Sequence, residues 1–276
     1  MKRNIAFILG GLLALSSVAV VAGPAEDRKA LLKHYKVVLP HDVKFENYIH
    51  GSLALNPDAK AQYDSMMEFP AFSMDVDAGR QIWDAPFKNG KTFASCFPKK
   101  GKNAATSYPY FDKATEKVVT FENAINDCRK KNGEDELKYG SREMGTLTSY
   151  AKSLSDGAKV DVKVQGKGAI AAYEKGKQYY YERRGQLNFA CSTCHIDYVA
   201  KYTRSEQLSM LPGHASHFPV FRAGTELVTL QARFKQCAKN TRMPILEFNS
   251  EEYNNLEYFM TYMSNGLKMK TPVFRK

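Results

Sequence analysis

Residues 191–195 read CSTCH, two cysteines three positions apart followed directly by a histidine. This spacing lets two thiols add to the two vinyl groups of one haem while the adjacent imidazole is held against the iron. A thioredoxin-like dithiol and half of a zinc site are the alternatives, but no second C-x-x-C motif occurs to complete a zinc site. The motif therefore predicts one covalent haem c, bound by Cys191 and Cys194, with His195 as an iron ligand.

The N-terminus indicates export from the cytoplasm. Lys2 and Arg3 precede an apolar run over residues 5–22, the pattern of a secretory signal peptide. A membrane anchor is the alternative, but the run is short for a span and charged residues follow from Glu26 onward. Haem is attached to such motifs outside the cytoplasm, so both features predict a periplasmic protein. No second apolar run of spanning length occurs, and we expect no membrane span in the mature chain.

The charge restricts the class of partner. The chain has 276 residues and a formal net charge of +11. Removal of residues 1–22 leaves 254 residues and a charge of +9, because Lys2 and Arg3 are lost and no acidic residue is. This length admits two small domains. A basic periplasmic protein suits anionic small substrates or an acidic protein partner, and nucleic acid is not expected there.

The mature chain contains an internal repeat. FPVFRAGTELVTLQARFKQC (218–237) matches YPYFDKATEKVVTFENAINDC (108–128), and SEEYNNLEYFMTYMSNG (250–266) matches SREMGTLTSYAKSLSDG (141–157). One offset of 109 residues relates several chemically distinct positions: Cys128 to Cys237, Ser141 to Ser250, Glu143 to Glu252, Leu147 to Leu256 and Gly157 to Gly266. The chain therefore has two copies of one structural plan.

Both closing segments predict amphipathic helices. Ser141 and Ser250 can cap the first turns, and Gly157 and Gly266 suit the position after the last turn. Apolar residues recur at helical spacing between these ends. They are Met144, Leu147, Ala151 and Leu154 in the first copy and Tyr253, Leu256, Met260 and Met263 in the second. We interpret these methionines as core residues rather than iron ligands.

The rest of the pattern also favours helices. A further helix is expected over residues 170–181, although Gly176 weakens that expectation. Strand signals are sparse and short, and KVDVKV (159–164) is interpreted as a linker between the copies. The fold class is therefore mainly α.

In the first copy FASCF (93–97) stands where CSTCH stands in the second. Phe93 replaces the first cysteine and Phe97 replaces the histidine, so this copy cannot hold haem, and the two rings can help to fill the vacated space. Cys96 keeps the place of the second cysteine. We expect it to bond Cys128, since both face the same interior. Closing this loop of roughly 33 residues would stabilise the fold by about 3.5 kcal/mol.

Cys237 is then the one cysteine without an assignment. The repeat puts it on the side of the haem opposite His195, where a thiolate would be a strong sixth ligand that lowers the reduction potential. A buried inert thiol is the alternative. Among distal ligands we rank Cys237 first, His214 second and Met210 third, with His217 as a further candidate. The other histidines, expected at the surface, are His34, His41 and His50.

Two arginines are candidate anion ligands. Arg233 precedes Cys237 by four residues, so on a helix the two side chains share one face. A guanidinium there would lower the pKa of the thiol and could bind a dianion through paired hydrogen bonds. A surface salt bridge or a haem propionate is the alternative partner of Arg233. Arg204, nine residues after His195, is a second candidate for a propionate or an anion.

Taken together, these motifs resemble the SoxA family, the cytochrome subunits of the SoxAX complex of sulfur-oxidising bacteria. The resemblance runs from about residue 75 to 275 and includes DAGRQIW (77–83), KNGK (88–91), SCFP (95–98), YPYF (108–111), CSTCH and the spacing of Arg233 to Cys237. Many members carry two haems. This chain departs from them at Phe93 and Phe97 and is similar to the monohaem type.

The resemblance implies a reaction and partners. Family members join thiosulfate oxidatively to a cysteine of the carrier protein SoxY (SoxYZ), as an L-cysteine S-thiosulfotransferase, and electrons pass through haem to the smaller cytochrome SoxX. By motif, Cys237 would be the distal ligand and catalytic sulfur, often a persulfide in the family. Arg233 would bind the sulfonate end of thiosulfate, and His195 the iron. Whether a third small subunit joins stays open.

The expected organisation is a signal peptide (1–22), an N-terminal extension (23–70) and two fused cytochrome c-like domains. The first (71–158) is expected to lack haem and the second (159–276) to bind it. Two other functions remain open at this point. A plain periplasmic electron carrier would use Cys237 only as a ligand, and a haem-based sensor would have an exchangeable sixth position.

Overall fold

The computed structural model describes residues 23–222 and 226–275, and the fold over these residues is mainly helical, as predicted. The predicted signal peptide lies outside the described residues. The helices are α1 (Pro24–Val38), α2 (Pro57–Glu68), α3 (Ser73–Asp84), α4 (Phe121–Lys131), α5 (Arg142–Ser153), α6 (Lys167–Tyr181), α7 (His214–His217), α8 (Leu230–Asn240) and α9 (Glu251–Met263). Within the described ranges, no helix is long and apolar enough to cross a membrane.

Among the described residues, the strands are short and form three small sheets. They are β1 (Tyr110–Asp112), β2 (Lys117–Val119), β3 (Tyr202–Thr203), β4 (Glu206–Gln207), β5 (Val220–Arg222), β6 (Glu226–Val228) and β7 (Val273–Phe274). β1 pairs with β2 and β3 with β4 as antiparallel hairpins. β5 lies between antiparallel β6 and parallel β7. The β1–β2 hairpin leads into α4 and the β5–β6 hairpin into α8, so the repeat extends to these strands.

Each copy is built on a crossing of two helices, α3 on α5 and α6 on α9. A glycine lies at each crossing. A Cβ atom at Gly79 would stand 2.3 Å from the carbonyl oxygen of Thr146, and one at Gly176 would stand 2.0 Å from that of Asn255. Only a residue without a side chain permits this approach. Gly176 therefore does not weaken the helix but allows it to pack.

The crossing helices α3 and α6 also share a short sequence that does not follow the offset of 109 residues. GRQIW (79–83) in α3 corresponds to GKQYY (176–180) in α6, and both segments end in a buried aromatic residue, Trp83 or Tyr180. The separation of these segments differs from 109 because the loops between the crossing helix and the hairpin differ in length. A search at one fixed offset could not detect them.

The closing helices begin and end as the sequence predicts. The hydroxyls of Ser141 and Ser250 accept hydrogen bonds from the backbone N–H three residues later. Gly157 and Gly266 have φ angles of 78° and 85°, which favour glycine. The predicted linker, residues 159–164, is extended and outside any named strand, and joins the two copies.

The first copy has an aromatic interior. Phe93 and Phe97 are both buried, and their ring centroids lie 5.5 Å and 5.3 Å from that of Trp83. Cys96 and Cys128 form a disulfide, the pair expected from the sequence, with their Cα atoms 5.8 Å apart. Rings and a disulfide thus occupy the region that corresponds to CSTCH and Cys237 in the second copy.

The N-terminal extension packs on the second copy. Asp27 of α1 accepts hydrogen bonds from Tyr173 (3.0 Å) and Lys177 (2.6 Å), both on α6. His34 and His41 are exposed, as predicted, but His50 is only half-exposed. Burial, with the nearby charges of Lys60 and Arg275, lowers the pKa of His50 to about 4.

Candidate functional site

CSTCH begins a short helical stretch that widens into a single turn of π type at Thr193–Asp197. The Thr193 hydroxyl accepts a hydrogen bond from the N–H of Ala190 (3.1 Å), which holds the start of the motif. Tyr198 closes the wide turn by donating its N–H to the carbonyl of Thr193 (3.0 Å). Such turns are frequent at functional sites, because they change the direction in which a side chain projects.

The imidazole of His195 is held by one nitrogen. Its Nδ1 donates a hydrogen bond to the carbonyl oxygen of Ser209 at 2.8 Å. This fixes the tautomer and leaves Nε2 as the nitrogen that can bind a metal. Burial is the largest cause that lowers the pKa of His195, and the guanidinium of Arg233 lowers it further.

Three thiols lie within electrostatic reach of one another at this site. Cys191, Cys194 and Cys237 are partly buried and outside any disulfide. Burial raises the pKa of Cys191 and of Cys194, and in each the negative charge of Cys237 is the next cause, so the three sulfurs lie within electrostatic reach. Cys237 comes from α8, whereas the other two come from the haem motif. The fold therefore brings Cys237, which the repeat analysis left without a partner, within electrostatic reach of the CSTCH motif.

Arg233 lies on α8 one turn before Cys237, as predicted. Its Nη1 donates a hydrogen bond to Oε1 of Gln236 (3.2 Å), and no carboxylate in the described part of the chain forms an ion pair with it. Gln236 in turn donates Nε2 to Glu226 (3.0 Å). The guanidinium is thus oriented by neutral contacts and can still bind an anion.

Sequence reasoning missed a second arginine at this place. Arg222 ends β5 and is half-buried. Burial is the largest cause that lowers its pKa, followed by repulsion from Arg233. The charges of Glu206 and Glu226, and to a smaller extent the thiol of Cys237, act in the opposite direction. The guanidinium of Arg222 therefore lies within electrostatic reach of both Arg233 and the sulfur of Cys237. Arg222 lies in the hairpin that leads to α8. The strands of this hairpin are too short to show a clear pattern in the sequence, so the position of Arg222 was not predicted.

The structure also shows where the rival distal ligands lie. The ring centroids of His195 and His214 are 4.5 Å apart at 83°. An iron between two opposed imidazoles holds their centroids about 6 Å apart, for metal–nitrogen bonds of about 2 Å. His214 is therefore not a distal ligand. Met210 is fully buried and follows Ser209, whose carbonyl binds His195. His217 packs beyond His214, at 6.2 Å.

Arg204 has no described contact with the other site residues. It occupies the exposed turn of the β3–β4 hairpin, with a φ of 56°, and makes no hydrogen bond or ion pair to the other site residues among those described. The positive charge of Arg184 lowers the pKa of Cys191, which burial raises, and its guanidinium stacks 3.6 Å from the ring centroid of Tyr179. Arg184 also forms an ion pair with Glu182 at 2.9 Å. Its influence on Cys191 makes Arg184 a further candidate for an anionic group of a cofactor.

The residues present fit a covalently bound haem. Two thiols and a free imidazole nitrogen form the donor set, and the thiol of Cys237 lies within electrostatic reach of both thiols. The hydroxyl of Tyr180 is buried without a partner among the described residues, and the charges of Cys191 and Cys194 help burial to raise its pKa. It can therefore bond a polar group of the cofactor.

Comparison with known proteins agrees with this site. A family model described as the SoxA/TsdA cytochrome c domain matches residues 78–160, which cover most of the first copy. The chain is 45% identical over 251 residues to the L-cysteine S-thiosulfotransferase subunit SoxA of Chlorobaculum tepidum, covering 91% of this chain and 87% of that protein. It is 36% identical over 272 residues to the SoxA subunit of Allochromatium vinosum, covering 98% and 96%.

A solved structure has the same fold. The crystal structure of SoxXA from P. pantotrophus superimposes with a TM-score of 0.70 at 29% identity, over 77% of this chain and 84% of the other. The similarity to SoxA proteins therefore extends over nearly the whole sequence and includes the three-dimensional fold. On this evidence the chain belongs to the SoxA family.

Proposed function

We propose that this chain is the SoxA subunit of an L-cysteine S-thiosulfotransferase, which joins thiosulfate oxidatively to a cysteine of the carrier protein SoxY. The relatives bear this enzyme name. The observation that carries the proposal is the unpaired thiol of Cys237, which lies within electrostatic reach of two arginines and of the CSTCH cysteines. A site of this composition suits an anionic sulfur compound.

The proposed organisation has one haem c, in the domain 159–276. Cys191 and Cys194 would hold it, His195 and Cys237 would be its axial ligands, and Arg184 and Tyr180 would contact its polar groups. The domain 71–158 would be a cytochrome c-like relic, which is supported by its buried phenylalanines and its disulfide. When bound, the haem supplies a one-electron acceptor for the oxidation.

The proposed reaction forms one S–S bond and releases two electrons. The thiolate of Cys237 and the outer sulfur of thiosulfate form the bond, and the two electrons leave one at a time toward SoxX. The thiolate of SoxY then attacks the outer sulfur of the bound group. The new SoxY–S–S–SO₃⁻ product leaves, and the Cys237 thiolate returns.

The arginines counter the repulsion in this reaction. A dianion must approach a thiolate, and like charges at close range oppose each other strongly in a partly buried site. Arg233 would bind the sulfonate oxygens through its planar fork of donors. Arg222 would add a second positive charge, present before the substrate arrives. An electron carrier needs no such pair beside its iron ligand, so the arginines favour the enzyme over that alternative.

The proposed partners are SoxX as electron acceptor and SoxY as carrier. The solved SoxXA structure supports a complex with SoxX. The periplasm is the proposed compartment, on the basis of residues 1–22 and of the haem attachment motif.

The test is thiosulfate-dependent modification of SoxY, followed by intact-protein mass spectrometry in the presence of SoxX and an electron acceptor. We expect SoxY to gain one thiosulfate group with the natural enzyme and none with Cys237→Ala. Arg233→Ala should reduce the rate by about a hundredfold, since a charge-assisted bond to a buried group is lost.

Arg204→Ala is the matched control, because it removes an arginine from an exposed turn of the same copy and should leave the rate unchanged. Normal turnover by both Cys237→Ala and Arg233→Ala would exclude the proposed site. The same purified samples give the number of haems from the mass, and a mass with two haems would contradict the relic assignment.

A further inference from the structure

His195 is part of a hydrogen-bond network that the proposed chemistry does not use. It begins at Tyr35 on α1, in the N-terminal extension, and the side chain of Tyr35 is fully buried. Its hydroxyl donates to the carbonyl oxygen of His195 at 2.6 Å and accepts from the N–H of Leu211 at 3.0 Å. One phenol thus ties the backbone of His195 to that of Leu211.

Ser209 connects His195 to His214 through two hydrogen bonds. Its carbonyl oxygen accepts the Nδ1 proton of His195 at 2.8 Å, and its hydroxyl is hydrogen-bonded to Nε2 of His214 at 2.7 Å. His214 also packs its ring edge-to-face against that of His195. The imidazole of His195 is therefore held by its backbone, by its outer nitrogen and by contact with its ring.

The hydrogen bonds of Tyr35 and those of Ser209 depend on each other. Ser209 and Leu211 are separated by one residue, so the hydroxyl of Tyr35 fixes the segment that presents the Ser209 carbonyl. A shift of that segment would lengthen the bond from Nδ1 and let the ring rotate. The donors and acceptors involved are buried or half-buried, where water does not readily replace a lost partner.

We infer that Tyr35, Ser209 and His214 are positioning residues that set the orientation and the donor strength of His195 as an iron ligand. The inference rests on the haem assignment of the proposed function but not on its sulfur chemistry. It also gives the N-terminal extension a role, because α1 supplies Tyr35. The general reason is that a carbonyl that accepts the outer N–H of a ligating imidazole makes that imidazole a stronger donor.

The direction of the effect follows from this. A stronger donor stabilises ferric iron over ferrous iron, so the natural network lowers the reduction potential. Its loss should raise the potential and broaden the low-temperature EPR signal, since the imidazole plane would no longer have one orientation. Neither readout requires thiosulfate or SoxY, so failure here and failure of the proposed function can be distinguished.

The experiment uses the haem-loaded mature chain and three variants. Tyr35→Phe removes one oxygen, Ser209→Ala removes the hydroxyl but keeps the carbonyl, and His214→Phe keeps a ring against His195 without its nitrogen. We expect the potential to rise in all three and the EPR signal to broaden most in Tyr35→Phe. The combination of Ser209→Ala with His214→Phe should raise the potential no further than either change alone, because both break the same bond.

The control is Tyr258→Phe, which removes another buried tyrosine hydroxyl bonded to a carbonyl, that of Lys163, away from CSTCH. It should leave both readouts unchanged. If Tyr35→Phe does not retain haem, Ser209→Ala carries the test, since it leaves the backbone ties intact. An unaltered potential and EPR signal in Ser209→Ala and His214→Phe, or an equal change in Tyr258→Phe, would overturn the inference.

Discussion

Arg222 shows how a single side chain can matter to a site without standing in its motif. It lies at the end of β5, half-buried, and shares its surroundings with Arg233 and Cys237. Two guanidiniums at close range disfavour each other's positive charge, and Glu206 and Glu226 offset this at Arg222 in the free protein. An incoming dianion would add a further compensating negative charge. The pair is therefore expected to serve substrate binding rather than stability.

We expect Arg222→Ala to raise the KM for thiosulfate about tenfold, the loss of one charge-assisted interaction. The kcat should change less, since Arg233 still orients the substrate beside Cys237. Initial rates over a range of thiosulfate concentrations measure both constants. Arg204→Ala provides the baseline, and an unchanged KM in Arg222→Ala would remove this residue from the site.

At the scale of elements, the helix crossings decide the packing of each copy. Gly176 in α6 approaches the backbone of α9 so closely that a methyl group would overlap the carbonyl oxygen of Asn255. Gly79 stands in the same relation to Thr146. The helical pattern on its own marks these glycines as weak points, whereas the packed structure requires them.

Gly176→Ala discriminates between these two interpretations. Helix propensity alone predicts a gain of about 1 kcal/mol in the free energy of unfolding. The steric conflict predicts a loss of about 3 kcal/mol, because α6 and α9 must separate. Chemical denaturation gives the sign directly, and Gly79→Ala should behave alike. A stabilised Gly176→Ala variant would show that the crossing is loose.

The disulfide is the corresponding constraint in the first copy. It closes a loop with a sequence separation of 32 residues. Replacing Cys96 and Cys128 by alanine should lower the free energy of unfolding by about 3–4 kcal/mol, mainly through the greater entropy of the unfolded chain. Haem content should stay the same, since CSTCH lies in the other copy. Equal stability of the two proteins, or a loss of haem, would contradict this assignment.

At the scale of the whole molecule, charged side chains lie among the helices of both copies, with Lys152 buried and Glu122 and Glu257 half-buried. Glu122 on α4, Lys152 on α5 and Glu257 on α9 lie within electrostatic reach of one another. Burial raises the pKa of Glu122 to about 8, the charge of Glu257 raises it further, and Lys152 acts in the opposite direction. The repeat position that corresponds to Glu122 is Gln231, a neutral side chain that bonds Asn254 at 2.9 Å.

This pKa makes stability depend on pH. The carboxyl of Glu122 loses its proton near pH 4.5 in the unfolded chain but only near 8 in the folded one. The folded state therefore holds more protons between these values, and its stability falls as the pH rises through that window. Glu122→Gln should remove this part of the dependence and gain about 1–3 kcal/mol at pH 8 relative to pH 5.

Denaturation curves at several values between pH 5 and 8 measure the difference between the variant and the natural protein. Glu143→Gln, at an exposed position of α5, should show no pH-dependent gain. A gain from Glu122→Gln that does not change with pH would mean that this carboxyl is solvated.

Much of the molecule could be predicted from local patterns. CSTCH predicts haem c, because covalent haem attachment depends on residue types at short spacing. The offset between Cys128 and Cys237 revealed the repeat, and Ser250 and Gly266 marked the ends of a helix. These features survive in any context, since their physical basis is local chain geometry. The pair Cys96 and Cys128 followed from the same comparison of copies.

Only the tertiary structure decided which side chains from distant segments lie next to each other. It packed His214 against His195, brought Arg222 within electrostatic reach of Arg233, left Arg204 in an exposed turn, and set Tyr35 of the N-terminal extension against the backbone of His195. These relations join segments up to 160 residues apart. Spacing along the chain carries no information about them, because burial and contact between distant elements determine which side chains meet.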